Sequence, residues 1–347
     1  MNSIPRVAAH RRVPRPLARG PKRPLVRPAL FAAAGIVIGG LTIGTALAQP
    51  RLVGQDEPDP AGSAIQLIDR HQLAPGLAEI RIGIATGASP ATGANRLLAV
   101  SADAATAAVA SQVGPGPATL TLIHRDGGAS RVALPGLIGA GFSPDGSWLA
   151  AIDGSGAIWR VPLAGYAPFR LADGPFLGTP TVQPDGSVLA LRVSSVEAPI
   201  VSRLVRIAAG GEAVQLAPDD LVYGAQVMED GTIAYAAHRG SRTYLMRLLS
   251  TGAEELADLG EDAVNVVLSP ASDTVAFERD GQIFLQSVAG HMAVHLADGG
   301  RPQFAPNGRS ILVELVSGSA LVGLDGSRLG TFAGQAGFAA CGRECQP

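Results

Sequence analysis

The fold is decided by residues 141–152, with the sequence GFSPDGSWLAAI. Pro144 presets the backbone for a turn, Asp145 can hydrogen-bond to its own backbone, and Gly146 accommodates a positive φ. Short apolar runs stand on both sides of these three residues. The stretch therefore predicts a β-hairpin.

The same hairpin pattern recurs along the chain. The proline position falls at residues 102, 144, 184, 229, 270 and 306, at intervals of 42, 40, 45, 41 and 36 residues. Two further strand-like runs follow each turn, and in three repeats the last run ends in Leu-Ala-Asp. Four short strands in about 40 residues are typical of a β-propeller blade. The turn residues are Pro144, Asp145, Gly146, Pro184, Asp185, Gly186, Asp230, Gly231, Pro270, Pro306, Asn307 and Gly308.

The two ends of the repeat region indicate how the ring closes. Residues 336–342 match residues 140–146, so the carboxyl end supplies an inner strand, while 64–71 and 78–85 supply outer strands. A shared sheet would make a composite seventh blade and leave no gap in the ring. We therefore predict an all-β propeller over residues 63–347, closed by both termini. Seven blades are favoured, with six as the alternative.

These tandem turns resemble the TolB-like, or WD40-like, β-propeller repeat, whose consensus centres on FSPDG followed by an apolar strand. The resemblance covers residues 95–342 and is strongest at Ser143–Gly146 and Gln183–Gly186. It implies a propeller fold and a compartment outside the cytoplasmic membrane. It leaves the partner and the pathway open.

The first 48 residues have the pattern of an export signal. Residues 1–28 carry eight basic side chains and no acid, residues 29–48 are uncharged, and Ala46-Leu47-Ala48 has the form of a signal-peptidase site. Cleavage would fall after Ala48. Residues 29–48 are also long enough to remain as one transmembrane anchor helix with its basic end in the cytoplasm, and both alternatives stay open. Residues 49–62 are acidic and Pro-rich and are predicted to be a linker.

The composition excludes several classes of function. Residues 49–347 hold 19 basic and 29 acidic side chains, a net charge of −10, and Lys22 is the only lysine of the chain. The propeller region therefore has no Walker A lysine and no Schiff-base lysine. It also lacks the clustered positive field of a nucleic-acid surface.

No catalytic, cofactor or metal residues stand out. The chain has no G-x-S-x-G nucleophile motif. His291 and His295 would lie about 13 Å apart in one strand, too far for one zinc ion. Outside the cytoplasm, Cys341 and Cys345 favour an intramolecular disulfide, with free thiols or half a metal site as alternatives.

Three arginines occupy equivalent positions in successive third strands: Arg160, Arg206 and Arg247. We favour an ordinary structural role, in which these side chains are solvated or form ion pairs between neighbouring blades. The alternative is a row of positive charges that binds carboxylate groups of a partner.

We therefore expect a monomeric, extracytoplasmic β-propeller without a cofactor. It would act as a binding module for an unknown envelope protein or polymer, with no nucleic-acid partner. It would contact a membrane only through residues 29–48, if these are not cleaved. Specificity should sit in the irregular connections at Gly114–Pro117, Ser194–Ser202 and His238–Arg242. The alternative is an enzyme, a lyase or a metal-dependent hydrolase, with its site at the channel mouth.

Overall fold

The computed structural model describes residues 52–53, 64–83, 95–112, 117–134, 136–165, 167–195, 201–219, 221–228 and 230–339. The predicted signal or anchor segment at 29–48, the cleavage position after Ala48, and Cys341 with Cys345 lie outside the described residues. Among the described residues, no helix has the length and apolar character needed to span a bilayer.

The described residues form 28 strands. In chain order they are β1 (Leu52–Val53), β2 (Ala64–Asp69), β3 (Leu77–Gly83), β4 (Arg96–Val100), β5 (Thr106–Ser111), β6 (Thr119–His124), β7 (Ala129–Val132), β8 (Leu137–Phe142), β9 (Trp148–Asp153), β10 (Ile158–Pro162), β11 (Phe169–Ala172), β12 (Phe176–Val182), β13 (Val188–Ser195), β14 (Val201–Ile207), β15 (Ala213–Gln215), β16 (Val222–Val227), β17 (Ile233–Arg239), β18 (Arg242–Leu249), β19 (Gly252–Glu261), β20 (Val264–Leu268), β21 (Thr274–Arg279), β22 (Gln282–Ser287), β23 (Ala293–Asp298), β24 (Gly300–Phe304), β25 (Ser310–Leu315), β26 (Gly318–Gly323), β27 (Arg328–Phe332) and β28 (Gln335–Phe338).

These strands form seven antiparallel sheets, which confirms the seven-bladed propeller over the six-bladed alternative. From the channel outwards, blade 1 is β4 to β7, blade 2 is β8 to β11, blade 3 is β12 to β15, blade 4 is β16 to β19, blade 5 is β20 to β23 and blade 6 is β24 to β27. The short strand β1 adds a fifth strand to the outer edge of blade 1, where Leu52 lies opposite Val132.

Blade 7 is composite. The last strand, β28, pairs with β3, with Gln335 opposite Ile80 and Phe338 opposite Leu77, and β2 lies outside β3. One sheet thus joins strands from near both ends of the described chain. This blade differs from the four-stranded pattern, because its sheet holds three of the described strands and β3 occupies the place of a second strand.

The blades pack face to face, so their second strands are buried on both sides. Every residue of β5 and of β9 is buried, and small alanines make up much of each. Blades 2 and 3 approach most closely at the channel. A Cβ added at Gly141 would lie 2.1 Å from the carbonyl oxygen of Pro180, so glycine is required where these inner strands touch. Some glycines of the repeats are therefore required for the contact between blades, and others for the turns.

Candidate functional site

One end of the propeller, which we call the turn end, carries the turns between the first and second strands of each blade. The turn of blade 2 is closed by the N–H of Gly146, which donates to the Ser143 carbonyl at 2.9 Å. Blades 1 to 6 all close this turn in the same way, through Ala104, Gly146, Gly186, Gly231, Ser272 and Gly308, and each of these residues has a positive φ. The predicted turn residues of the described chain therefore lie at one end of the ring.

Hydrogen bonds hold the turn carboxylates in their ionised form. Ser143 Oγ donates to Asp145 Oδ1 at 2.6 Å, and the N–H of Ser147 donates to the same oxygen at 3.1 Å. The bond from Ser143 and those from Ser147 lower the pKa of Asp145. Hydrogen bonds from neighbouring Ser or Thr side chains also lower the pKa of Asp103, Asp185 and Asp230. The presence of these carboxylates is thus accounted for by the hydrogen bonds with which they stabilise the turns.

The opposite end of the ring, which we call the mouth, is where the inner strands begin. The connections between second and third strands lie at this same end, because neighbouring strands are antiparallel. The described strands that flank the three connections in which we expected specificity therefore meet them at the mouth. His238–Arg242 forms a tight hairpin with Arg239 opposite Arg242. Parts of the other two connections, 113–116 and 196–200, lie outside the described residues.

Each inner strand of blades 1 to 6 is bulged near the mouth. In blade 6, Gly300 lies opposite Glu314 but Gln303 lies opposite Leu312, so one extra residue is inserted. Register shifts of this kind occur at the mouth end of β4, β8, β12, β16, β20 and β24. Bulges re-aim side chains and are common beside functional sites.

Two bulges hold non-glycine residues in the left-handed conformation. Asn265 has φ 49° and Arg301 has φ 47°. Asn tolerates this region, whereas for Arg it costs about 1–2 kcal/mol. Strain of this kind persists only where the surrounding structure holds it in place, and it clusters at functional positions.

Glu278 supplies part of that support. Its Oε2 accepts a hydrogen bond from Asn265 Nδ2 at 2.8 Å and another from the backbone N–H of Arg301 at 3.0 Å. A Cβ at residue 300 would lie 2.9 Å from the same oxygen, so Gly300 leaves room for this approach. Arg301 Nη1 in turn lies 3.3 Å from Glu314 Oε2. The network joins blades 5 and 6 at the mouth.

A second guanidinium reaches the mouth from blade 1. Arg96 Nη2 donates to the carbonyl oxygen of Ile138 in blade 2 at 2.5 Å. Gln335 of blade 7 fixes the backbone on both sides of Arg96, since its Oε1 accepts from Leu97 N at 2.5 Å and its Nε2 donates to Asn95 O at 3.2 Å. Burial lowers the pKa of Arg96, and the nearby charge of Arg301 lowers it further.

Blade 4 contributes an aromatic and titratable group to the mouth. The rings of Tyr223 and His238 meet edge to face, with centroids 5.9 Å apart. Burial raises the pKa of Tyr223, and the nearby carboxylate of Asp262 raises it further. Tyr223 is 40% exposed.

The other candidates from the sequence lie away from the mouth. Among the described residues, no group of three His, Cys, Asp or Glu side chains could hold a metal ion. His295 contacts Asp298 and the ring of Phe284 within its own blade.

The three arginines of the third strands make their contacts within their own blades and not with neighbouring blades, and the side chains of Arg206 and Arg247 are 43% and 39% exposed. Arg160 lies 4.1 Å above the Trp148 ring, Arg206 pairs with Asp185, and Arg247 pairs with Glu254 at 2.6 Å. Arg160 and Arg206 line equivalent shallow grooves of about 530 and 360 Å³ at the turn end of blades 2 and 3.

Sequence reasoning missed the mouth residues. A signal was present: Asn265 and Arg301 each stand five residues before the turn proline, at Pro270 and Pro306, where Gly139 precedes Pro144. This position differs from blade to blade, so a comparison of the repeats could have singled it out.

Comparison with known proteins supports the fold. No family model and no curated protein matches the sequence. Among solved structures, TolB from Acinetobacter baumannii is 15% identical over 76% of this chain and 77% of that chain, with a TM-score of 0.50. The tricorn protease is 9% identical over 84% of this chain and 36% of that chain, with a TM-score of 0.54.

An oligogalacturonate lyase from Vibrio parahaemolyticus is 10% identical over 77% of this chain and 95% of that chain, with a TM-score of 0.45. At such identities the likeness concerns the fold alone. The chain is thus a seven-bladed propeller of TolB-like fold, as its repeated turns predicted.

Proposed function

We propose that this chain is an exported β-propeller that binds a protein or polymer of the cell envelope through the mouth of its channel. One observation carries the proposal: the turn end repeats the same hydrogen bonds from blade to blade, whereas the mouth gathers groups that differ from blade to blade. Repeated residues meet the needs of the fold, and irregular residues on connections are where binding specificity usually lies.

The chemistry of the mouth suits recognition. Arg301 and Glu314 are both about half exposed and can exchange their mutual ion pair for contacts with a partner. Tyr223 offers an amphipathic ring of the kind enriched at binding surfaces. Export is supported by the uncharged run at 29–48 and its A-x-A ending.

Affinity capture tests the proposal. The full chain, carrying an affinity tag, is recovered from envelope extract of its own host after mild crosslinking. We expect one reproducible partner that the Arg301→Glu variant loses at least tenfold. The Arg247→Glu variant is the matched control, since it makes the same charge change on the outside of blade 4. The absence of any reproducible partner, or equal loss in both variants, would contradict the proposal.

An enzyme remains the second candidate, because Tyr223, His238 and Asp262 place groups able to transfer protons at the mouth. A lyase would release unsaturated products from an anionic polysaccharide, and these can be followed by absorbance. We expect any such turnover to be lost in both Tyr223→Phe and His238→Gln variants. Turnover that survives both would place the reaction elsewhere.

A further inference from the structure

We propose that the groove at the turn end of blade 2 binds the carboxyl terminus of a peptide whose last side chain is apolar. In this site Arg160 pairs with the terminal carboxylate, and Phe169 and Pro162 contact the apolar side chain. The groove lies at the opposite end of the ring from the mouth. The inference therefore goes beyond the proposed function and does not depend on it.

The groove combines apolar surface with one cation. It has a volume of about 530 Å³ and lies where Arg160 of β10 is opposite Phe169 of β11. Trp148 and Pro162, which are opposite each other in β9 and β10, line the same groove. Phe169 is 47% exposed, so its ring is available to a ligand. Such a surface suits a ligand that is apolar in one part and anionic in another.

The charge of Arg160 has no acidic partner among the described residues. Its guanidinium stacks on the Trp148 ring, with Cζ 4.1 Å from the ring centroid, and it forms no hydrogen bond or ion pair within the described chain. Asp145 does not serve as a partner, because it accepts from the backbone N–H and the hydroxyl of Ser147 at 3.1 and 2.8 Å. Stacking uses the flat face of a guanidinium and leaves the N–H donors at its edge free for an anion.

Blade 3 contains the equivalent groove with its arginine already satisfied. Arg206 Nε donates to Ser187 Oγ at 2.9 Å, and its Nη2 pairs with Asp185. Ser187 occupies the place that Trp148 has in blade 2, as the register of the two blades shows. Blade 2 thus replaces a hydroxyl that binds the arginine with a ring that only stacks on it. Of these two grooves, the one in blade 2 presents a guanidinium that can accept a ligand without losing an existing ion pair.

The opposed positions of Arg160 and Phe169 favour a chain-end carboxylate over an acidic side chain. Opposite residues of antiparallel strands have Cα atoms about 5 Å apart, so the cation and the ring are neighbours. The last residue of a peptide carries its carboxylate and its side chain on one Cα and can contact both. In an extended internal segment, adjacent side chains point to opposite faces, and those that share a face are about 7 Å apart. An internal acidic residue therefore fits the groove less well.

Titration calorimetry on the full chain in mild detergent tests the groove. The main probe is acetyl-Ala-Ala-Leu with a free carboxyl terminus, and we expect a dissociation constant of about 1 mM or tighter. Its amide removes the charge, acetyl-Ala-Ala-Gly with a free carboxyl terminus removes the apolar side chain, and acetyl-Ala-Glu-Leu-Ala amide offers an internal carboxylate. Each of these three probes should bind at least fivefold more weakly than the main probe.

Two variants locate the binding. Arg160→Gln removes the guanidinium and should weaken binding of the main probe at least tenfold, and Phe169→Ala should weaken it at least threefold. Arg206→Gln is the matched control, because it removes the equivalent guanidinium from the groove of blade 3. It should change binding less than twofold.

Several results would overturn the site. These are failure of the main probe to bind, equal binding of its amide or of the glycine peptide, tighter binding of the internal carboxylate, and equal binding by the wild type and Arg160→Gln. An equal loss in Arg160→Gln and Arg206→Gln would also refute a site in blade 2. Thermal unfolding checks that each variant is folded, and Phe169→Ala carries the test if Arg160→Gln is not.

Discussion

The two ends of this propeller are made by the same repeats and differ in what the repeats preserve. At the turn end, blades 1 to 6 close the same hydrogen-bonded turn with a left-handed fourth residue. At the mouth, the inserted residue of the bulge is Ile138 in blade 2, whereas the bulges of blades 5 and 6 hold Asn265 and Arg301 in the left-handed conformation. The backbone of the turn end is thus the same in six blades, whereas the residues of the mouth differ from blade to blade.

The difference shows which positions the fold restricts and which positions it leaves free to vary. The turn repeats one backbone conformation, and most blades adopt it with Asp, Asn or Gly. A bulge at the mouth accepts several residues, and in blade 6 it holds an arginine whose left-handed conformation has an energetic cost.

The largest loss of stability is expected on substitution of Gly141, the first residue of the blade 2 turn motif. An added Cβ would lie 2.1 Å from the Pro180 carbonyl oxygen, so Gly141→Ala should lower the free energy of unfolding by about 2–3 kcal/mol through overpacking. Gly224→Ala is the matched control, since it lies on the inner strand of blade 4 with no atom within 4 Å. Urea unfolding measures both. Equal stability of the two variants would contradict the close contact between blades 2 and 3.

The second largest loss of stability is expected on substitution of Ser143. Its hydroxyl is buried, donates to Asp145 at 2.6 Å and accepts from Trp148 N at 3.1 Å. Ser143→Ala leaves the buried Trp148 N–H without its acceptor and should cost about 1–3 kcal/mol. Ser147→Ala removes an exposed hydroxyl from the same carboxylate and should cost less than about 0.5 kcal/mol. If both variants unfold at the same urea concentration, the buried network of the turn does not stabilise the fold.

The turn carboxylates predict a pH dependence. Hydrogen bonds lower the folded pKa of Asp145 and Asp185 below the unfolded value of about 3.9. Their stabilisation is therefore present above about pH 4 and is lost as the pH falls through the folded pKa. The urea midpoint should fall between pH 5 and pH 3, and less steeply in Asp185→Asn. Asp280→Asn, which removes an exposed carboxylate from a hairpin tip at the mouth end, is the control for loss of one negative charge.

Much of the turn end could be predicted because its determinants are local. Pro144, Asp145 and Gly146 lie within one turn, and the match of residues 336–342 to 140–146 pointed to the composite blade. Even there the rule is not absolute: Ala104 and Ser272 take the left-handed position that a glycine was expected to fill.

The mouth could not be predicted in the same way, because its contacts join distant parts of the chain. Gln335 bonds Leu97 and Asn95, more than 230 residues away in sequence. The partners of Arg160, Arg206 and Arg247 also differ, although the positions are equivalent, since each depends on a neighbouring side chain that the repeat does not fix. Spacing identifies equivalent positions but leaves their neighbours undetermined.

The smallest change in stability, with a large change in binding, is expected for Arg301→Gly. Glycine relieves the left-handed strain of about 1–2 kcal/mol and keeps the N–H bond to Glu278. Against this stand the half-exposed ion pair with Glu314, worth about 0–1 kcal/mol, and the greater entropy of an unfolded chain with one more glycine, about 0.4–1 kcal/mol.

These contributions nearly cancel, so urea unfolding should change by less than about 1 kcal/mol. Partner capture should nevertheless fall at least tenfold, because the half-exposed guanidinium at the mouth is gone. A variant that still captures the partner fully would show that the Arg301 side chain does not take part in binding. A variant that loses capture at unchanged stability would show that the cost of a left-handed arginine is retained for binding, since the fold itself does not require it.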